Sequence, residues 1–235
     1  MPFSPDYEGP LALYQTWKQK GVTWGSNPTD IASFLANQFS GFDLFELLTT
    51  LEAVALGRNF EWTAIKIEVM PSGNLRIEHQ YDNPDDEEPL ILIRTLHHKS
   101  PRRASHEEMS LPLRLQRQGL SRRLIGACYK QYKQAKVDLM TVQAGMTGGG
   151  YAWARYGFAA VQLTEVQRIL DTAAERGIDD TGAIQELRED LANFREQAVG
   201  PFPIESWARL PFGEKLLAGT QWEGVLNLRN PAQIQ

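Results

Sequence analysis

A mixed α/β fold, built on a mostly antiparallel sheet with flanking helices, is predicted by three features of this chain. Apolar residues recur at helical spacing through the first 58 positions, with Leu11, Tyr14 and Trp17 on one face. From Glu61 to Val69 the spacing changes to polar/apolar alternation, and Pro71-Ser72-Gly73-Asn74 turns the chain into a second alternating run, Leu75 to Tyr81. Beyond that hairpin, strand-like and helix-like segments interleave to the end of the chain.

The individual elements follow in order. The first ten residues hold three prolines and a glycine and read as an irregular arm. Leu11 to Lys20 reads as a helix, Pro28-Thr29-Asp30 opens another that runs to Phe39, and Phe42 to Leu56 continues until Gly57 closes it. After the hairpin come an acidic stretch, Asp82 to Glu88, and a buried strand at Leu90 to Ile93. Ser105 to Leu113 is a further strand, and Gly119 to Ala135 is a helix with Leu120, Leu124, Ala127 and Cys128 facing inward. Val137 to Val142 is a strand and Gly148 to Tyr156 a short helix. Two charged amphipathic helices follow, Thr164 to Arg176 and Thr181 to Gln197, separated by a turn over Gly177 to Asp180. Pro201 and Pro203 break the pattern before a last strand, Trp222 to Leu228. The expected division is a helical section over 1–58 and a core over 59–235 that carries a helical insertion at 164–198.

Composition narrows the function. The 235 residues are 42% hydrophobic and 23% charged, enough for a real core, and the net charge of −5 disfavours wrapping of nucleic acid. Cys128 is the one cysteine, so neither an intrachain disulfide nor a thiolate metal cluster can form. Met1 to Trp17 lacks the basic-then-apolar pattern of a secretory signal, and no run of about 18 apolar residues occurs. A soluble protein of a reducing compartment such as the cytoplasm, without a membrane span, is the expectation.

The segment that carries chemistry is Leu111-Pro112-Leu113-Arg114-Leu115-Gln116-Arg117-Gln118-Gly119-Leu120-Ser121-Arg122-Arg123-Leu124. A strand feeds a glycine-bearing loop and a helix starts at once. A helix N-terminus offers backbone N–H groups and partial positive charge to an anion. Glycine lets the backbone approach phosphate oxygens closely, and Arg117, Arg122 and Arg123 add charge around the loop.

Gln116-x-x-Gly119-x-Ser121 resembles the Q/R-x-x-G-x-G/A signature of the GCN5-related N-acetyltransferases, with serine in the last small-residue slot. Its context is similar as well: a strand before, a long helix after, a strand at Val137 to Val142, and a helix closing on Tyr156-Gly157-Phe158. The similarity spans Glu61 to about Phe158, with Trp222 to Leu228 as a possible late strand, and leaves out the helices at 1–58 and 164–197.

The resemblance implies an acetyl-CoA-dependent N-acyltransferase in which an amine of a protein or of a small molecule attacks the thioester directly. It implies that Leu113, Gln116, Arg117, Gln118, Gly119, Leu120, Ser121 and Arg122 hold acetyl-CoA, with amides near Leu113 polarising the thioester and holding the pantetheine arm like an added strand. The general base is sought among His106, Glu107 and Glu108, where alternation sets His106 and Glu108 on one face and Glu107 on the other. His106 is preferred, because imidazole titrates near neutrality, and Glu107 is the runner-up. The usual acid, a tyrosine four residues before the glycine of the Gly-Phe pair, is replaced by Trp153, so the role passes to Tyr156, to Tyr151 or to water.

Gly145 to Gly150, four glycines in six residues, reads either as a close passage for the pantetheine arm, with Met146 and Thr147 beside it, or as a flexible turn. His97-His98 with Lys99, Arg102 and Arg103 reads as a basic rim rather than a metal pair, and Cys128 as a small buried hydrophobe. A second reading stays open. The departure at Trp153 and the added helices also suit a degenerate acetyltransferase-like fold that serves as an interaction component, meeting a protein partner or a second copy through those helices.

Overall fold

The computed structural model describes residues 8–56, 61–82, 88–178 and 181–230. The chain divides into two compact units, Met1–Asp138 and Leu139–Gln235. The fold is mixed α/β with mostly antiparallel strand pairing, as the periodicities predict. The first unit ends at Asp138, and within it α1 and α2 contact β1 and β2. Most of the expected N-terminal arm, Gly57, the centre of the acidic stretch, and Asp179-Asp180 of the turn lie outside the described residues.

The first unit begins with α1 (Glu8–Gln19), then β1 (Val22–Trp24), α2 (Pro28–Gln38) and α3 (Leu44–Leu56). Asn27 caps α2, its side chain accepting the Thr29 N–H at 2.9 Å, and Pro28 fills the first helical position, where a missing N–H costs nothing. Four strands follow: β2 (Glu61–Val69), β3 (Leu75–Asp82), β4 (Leu90–His97) and β5 (Arg103–Ser110). The β2–β3 turn closes with Met70 N–H to Asn74 O and Gly73 N–H to Met70 O, both 2.8 Å. Strand order is β1-β2-β3-β4-β5, with β1 parallel to β2 and the other pairs antiparallel.

Helix α4 (Leu120–Gln134) closes this unit and buries Leu120, Leu124, Cys128 and Tyr132, which follow one another at helical spacing. Ala127, expected on that stripe, is only half-buried. Ile65, Ile67, Leu75, Ile77, Leu92 and Leu96 form the core face of the strands. The opposite face carries charged pairs instead, including Lys66 with Glu68 and Arg76 with Glu78.

The second unit holds β6 (Leu139–Ala144), α5 (Met146–Arg155), β7 (Ala159–Ala160), α6 (Leu163–Asp171), α7 (Thr181–Gln197), α8 (Gly213–Leu217) and β8 (Trp222–Asn227). Its strands run β6-β8-β7, all antiparallel. The predicted helix over Thr164 to Arg176 stops at Asp171 and resumes as a 3₁₀ turn, Ala174–Arg176, which Gly177 ends at φ +70°. Arg188 of α7 holds α6, pairing with Asp171 at 3.0 Å. Trp153, Phe158, Phe202, Trp207 and Trp222 fill the core of this unit. Among the described residues no helix is long and apolar enough to cross a membrane.

The glycine-rich stretch is mostly helix, which removes the flexible-turn reading: Gly145 precedes α5 in extended backbone, and Gly148, Gly149 and Gly150 lie within it. The side chains of Met146 and Thr147 lie outside what is described. Gly150 is a packing residue, since a Cβ there would run into the Leu217 carbonyl and the Thr220 hydroxyl. Gly150→Ala is therefore expected to cost about 1–3 kcal/mol by overpacking. Gly149→Ala, whose Cβ would meet nothing closer than the Trp153 ring at 3.8 Å, is expected to be neutral or slightly stabilising. Urea unfolding of the two variants checks the contrast.

Candidate functional site

The 111–123 loop carries the chain from β5 into α4. Strand β5 ends at Ser110, and Pro112 leads into a 3₁₀ turn over Leu113–Leu115. Leu113 therefore lies outside any strand, contrary to the sequence expectation: Pro112 has no N–H to continue a ladder, and the Leu113 carbonyl accepts the Gln116 N–H at 3.2 Å. The Leu113 side chain is 74% exposed, unusual for leucine.

Residues 116–119 form a turn with two left-handed positions, Arg117 at φ 60° and Gly119 at φ 72°. Gly119 is the cap residue of α4, and open space surrounds the place a Cβ would occupy. The long amides brace the turn from inside: Gln116 Nε2 donates to Leu111 O at 3.0 Å, and Gln118 Nε2 donates to Arg114 O at 2.6 Å. Gln116 is thus placed as a brace as well as a candidate contact.

The electrostatics are unusual for a helix start. Among the described residues no side chain caps α4, and its own first turn holds no acidic residue. Arg122 and Arg123 occupy that turn instead, exposed, with Arg117 exposed just before it. Positive side chains at the positive end of a helix oppose its dipole, so this arrangement works against the helix unless an anion sits there.

Behind the loop, β5 carries a bulge. Ile93 pairs with Glu108 and Arg94 with His106, which leaves Glu107 as the extra residue. Facing residues share a side of the sheet, so Glu108 lies on the side opposite His106, and the predicted sharing of a face by those two does not occur. Glu107 also points away from the core. Its Oε1 accepts the Thr95 hydroxyl at 2.6 Å, its Oε2 pairs with Arg76, and its side chain is 37% exposed.

His106, the preferred base, is instead enclosed between β5 and α4 at 3% exposure. Its Nε2 meets the Tyr132 hydroxyl at 3.2 Å. Burial, and then the charge of Arg94, push its pKa down to about 3, so the imidazole is neutral but withdrawn from solvent. It belongs to a polar cluster that sequence reading missed. Arg94, 1% exposed, donates from Nη1 to Cys128 Sγ, and His79, fully buried, meets the Tyr81 hydroxyl through Nδ1 at 3.1 Å. The signal was available: Leu90, Leu92 and Leu96 set the buried parity of β4, and Arg94 falls on it.

In the second unit, Tyr156 follows the last residue of α5 and is half-buried, its ring edge-on to Trp153 at 5.9 Å. Trp153 is core, packed against Phe158 at 5.2 Å. Tyr151 is half-buried. Among the described residues no group of three His, Cys, Asp or Glu is placed to hold a metal ion.

Comparison with known proteins returned nothing. No family model, no curated protein and no solved structure matches the chain.

Proposed function

We propose that this chain is an acyl-CoA-dependent N-acyltransferase that anchors the diphosphate of acetyl-CoA at the start of α4 and passes the acetyl group to an amine. The observation that carries the reading is the exposed, uncapped, arginine-flanked N-terminus of α4 behind two left-handed turn residues. The amides of Gly119 and Leu120 and the side chains of Arg117 and Arg122 hold the diphosphate in this reading, and Ser121 is the small residue that admits it. In the reaction the amine nitrogen attacks the thioester carbonyl, a base takes the ammonium proton, and the CoA thiolate departs and is protonated. Glu107 takes the base role in place of His106, because its carboxylate is partly exposed on the bulge whereas His106 is enclosed. The proton for the thiolate comes from water.

The second reading, cofactor binding without turnover, is favoured by one observation: Trp153, at the position where the resemblance expects the acid, is a core residue whose indole has no proton acidic enough to transfer to a thiolate. One experiment separates the two. Acetyl-CoA at about a thousandfold over its dissociation constant is expected to stabilise the protein by about 4 kcal/mol in thermal unfolding under either. Release of free CoA thiol with a panel of amines is expected only of an enzyme. In that assay Glu107→Gln is expected to lower turnover by about 10²–10⁴-fold while leaving the stabilisation by acetyl-CoA intact. Unchanged turnover would remove Glu107 from the mechanism, and absence of both stabilisation and release would end the acyltransferase reading.

A further inference from the structure

A cleft of about 770 Å³ opens beside β1, walled by Tyr14, Gln15 and Lys18 of α1 and by Val22 to Pro28. β1 is the first strand in the order, paired among the described residues with β2 alone, and Gly25 N–H donates to Ile67 O at 2.8 Å. Backbone groups in a ladder turn alternately to one side and the other, so Thr23 and Gly25 face β2. Val22 and Trp24 then present their N–H and C=O groups to the free edge, which is a template for another strand.

Ser26 Oγ is engaged by the Val69 N–H at 2.8 Å, and Asn27 Oδ1 is engaged in capping α2. Trp24 Nε1, a donor buried beside Tyr14, has no hydrogen-bond partner among the described residues. Among the described residues Lys18 is the one charged residue lining the cleft, and it is exposed. Lys18 thus sets a positive charge on the wall of the cleft, along the outer edge of β1 and beside the Tyr14 and Trp24 rings, while Gln15 and Thr23 add polar side chains that can donate or accept.

We propose that this cleft binds an extended acidic peptide, which adds a strand to β1 through the outward groups of Val22 and Trp24 and sets a carboxylate against Lys18. Strand addition supplies affinity through the main chain, and the Lys18 charge selects side chains of opposite sign. The cleft shares no residue with the 111–123 loop, so peptide binding and acyl transfer fail or succeed separately.

The test uses the full chain and three fluorescent heptapeptides: alternating Val-Glu, alternating Val-Lys, and a Val-Glu copy N-methylated on alternate amides. Binding is read by anisotropy up to about 1 mM peptide. Saturable binding of the Val-Glu peptide is expected, about tenfold weaker after Lys18→Glu or after N-methylation and unchanged after Lys99→Glu. The proposal is overturned by no saturable binding, by equal binding of the Val-Lys peptide, or by binding that ignores Lys18→Glu or N-methylation.

Discussion

Gly119→Glu is expected to abolish the stabilisation by acetyl-CoA altogether while leaving the protein folded. Two effects of the substitution separate by size. The backbone at 119 is left-handed at φ 72°, so any side chain other than glycine costs about 1–2 kcal/mol of strain. Space is open around the new Cβ, so no steric cost adds to that. The second effect falls on binding: a carboxylate at the mouth of α4 occupies the place the diphosphate would take and neutralises the arginine-flanked field. Gly119→Asn isolates the two, because asparagine tolerates left-handed backbone and brings no charge. It is expected to keep most of the stabilisation that Gly119→Glu loses, which thermal unfolding with and without acetyl-CoA reads directly. Retention of the full shift by Gly119→Glu would place the cofactor elsewhere.

The second large effect is acid lability between about pH 6.5 and pH 5, above the range in which carboxylates titrate. His79 and His106 lie in the core beside Arg94 with pKa values lowered by burial first and by the arginine's charge second, His106 to about 3 and His79 well below the ordinary range. A depressed histidine pKa means that the unfolded chain binds a proton the folded chain refuses. Stability is therefore fully present above about pH 6.5 and falls as the pH drops toward the folded-state value, the opposite of what a salt-bridged histidine would give. Each such histidine contributes about 1.4 kcal/mol per pH unit once the unfolded chain is protonated. Urea unfolding across this interval is expected to lose stability at a slope that His106→Leu roughly halves. A flat profile in this interval would mean that the cluster is hydrated and the imidazoles charge in place.

The sequence shows in advance where these features lie, but not which way each side chain faces. The hairpin over Glu61 to Tyr81 was legible because alternation and the Pro71 to Asn74 turn are local signals. The helix after Gly119 was legible to within a residue, because a glycine at its start and a stripe at 3.6 spacing are local as well. Strand β1 was not, since three residues are too few to set a period, and it exists because β2 is there to pair with it. The orientation of His106, Glu107 and Glu108 was read wrongly in part, because a bulge is a relation between two strands and one strand's sequence carries no mark of it.

By itself, then, the sequence determined the mixed α/β class, most of the regular elements, and the place of the glycine- and arginine-bearing loop before α4. Only the tertiary structure decided that His106 is a core residue, that Glu107 faces outward on a bulge, that Gly150 is held by a carbonyl rather than by a need to flex, and that a cleft opens beside β1 at the end of the strand order. The physical reason is one of range. Periodicity, turn chemistry and helix ends act over a few neighbouring residues, whereas burial, pairing and pKa depend on what distant segments bring alongside.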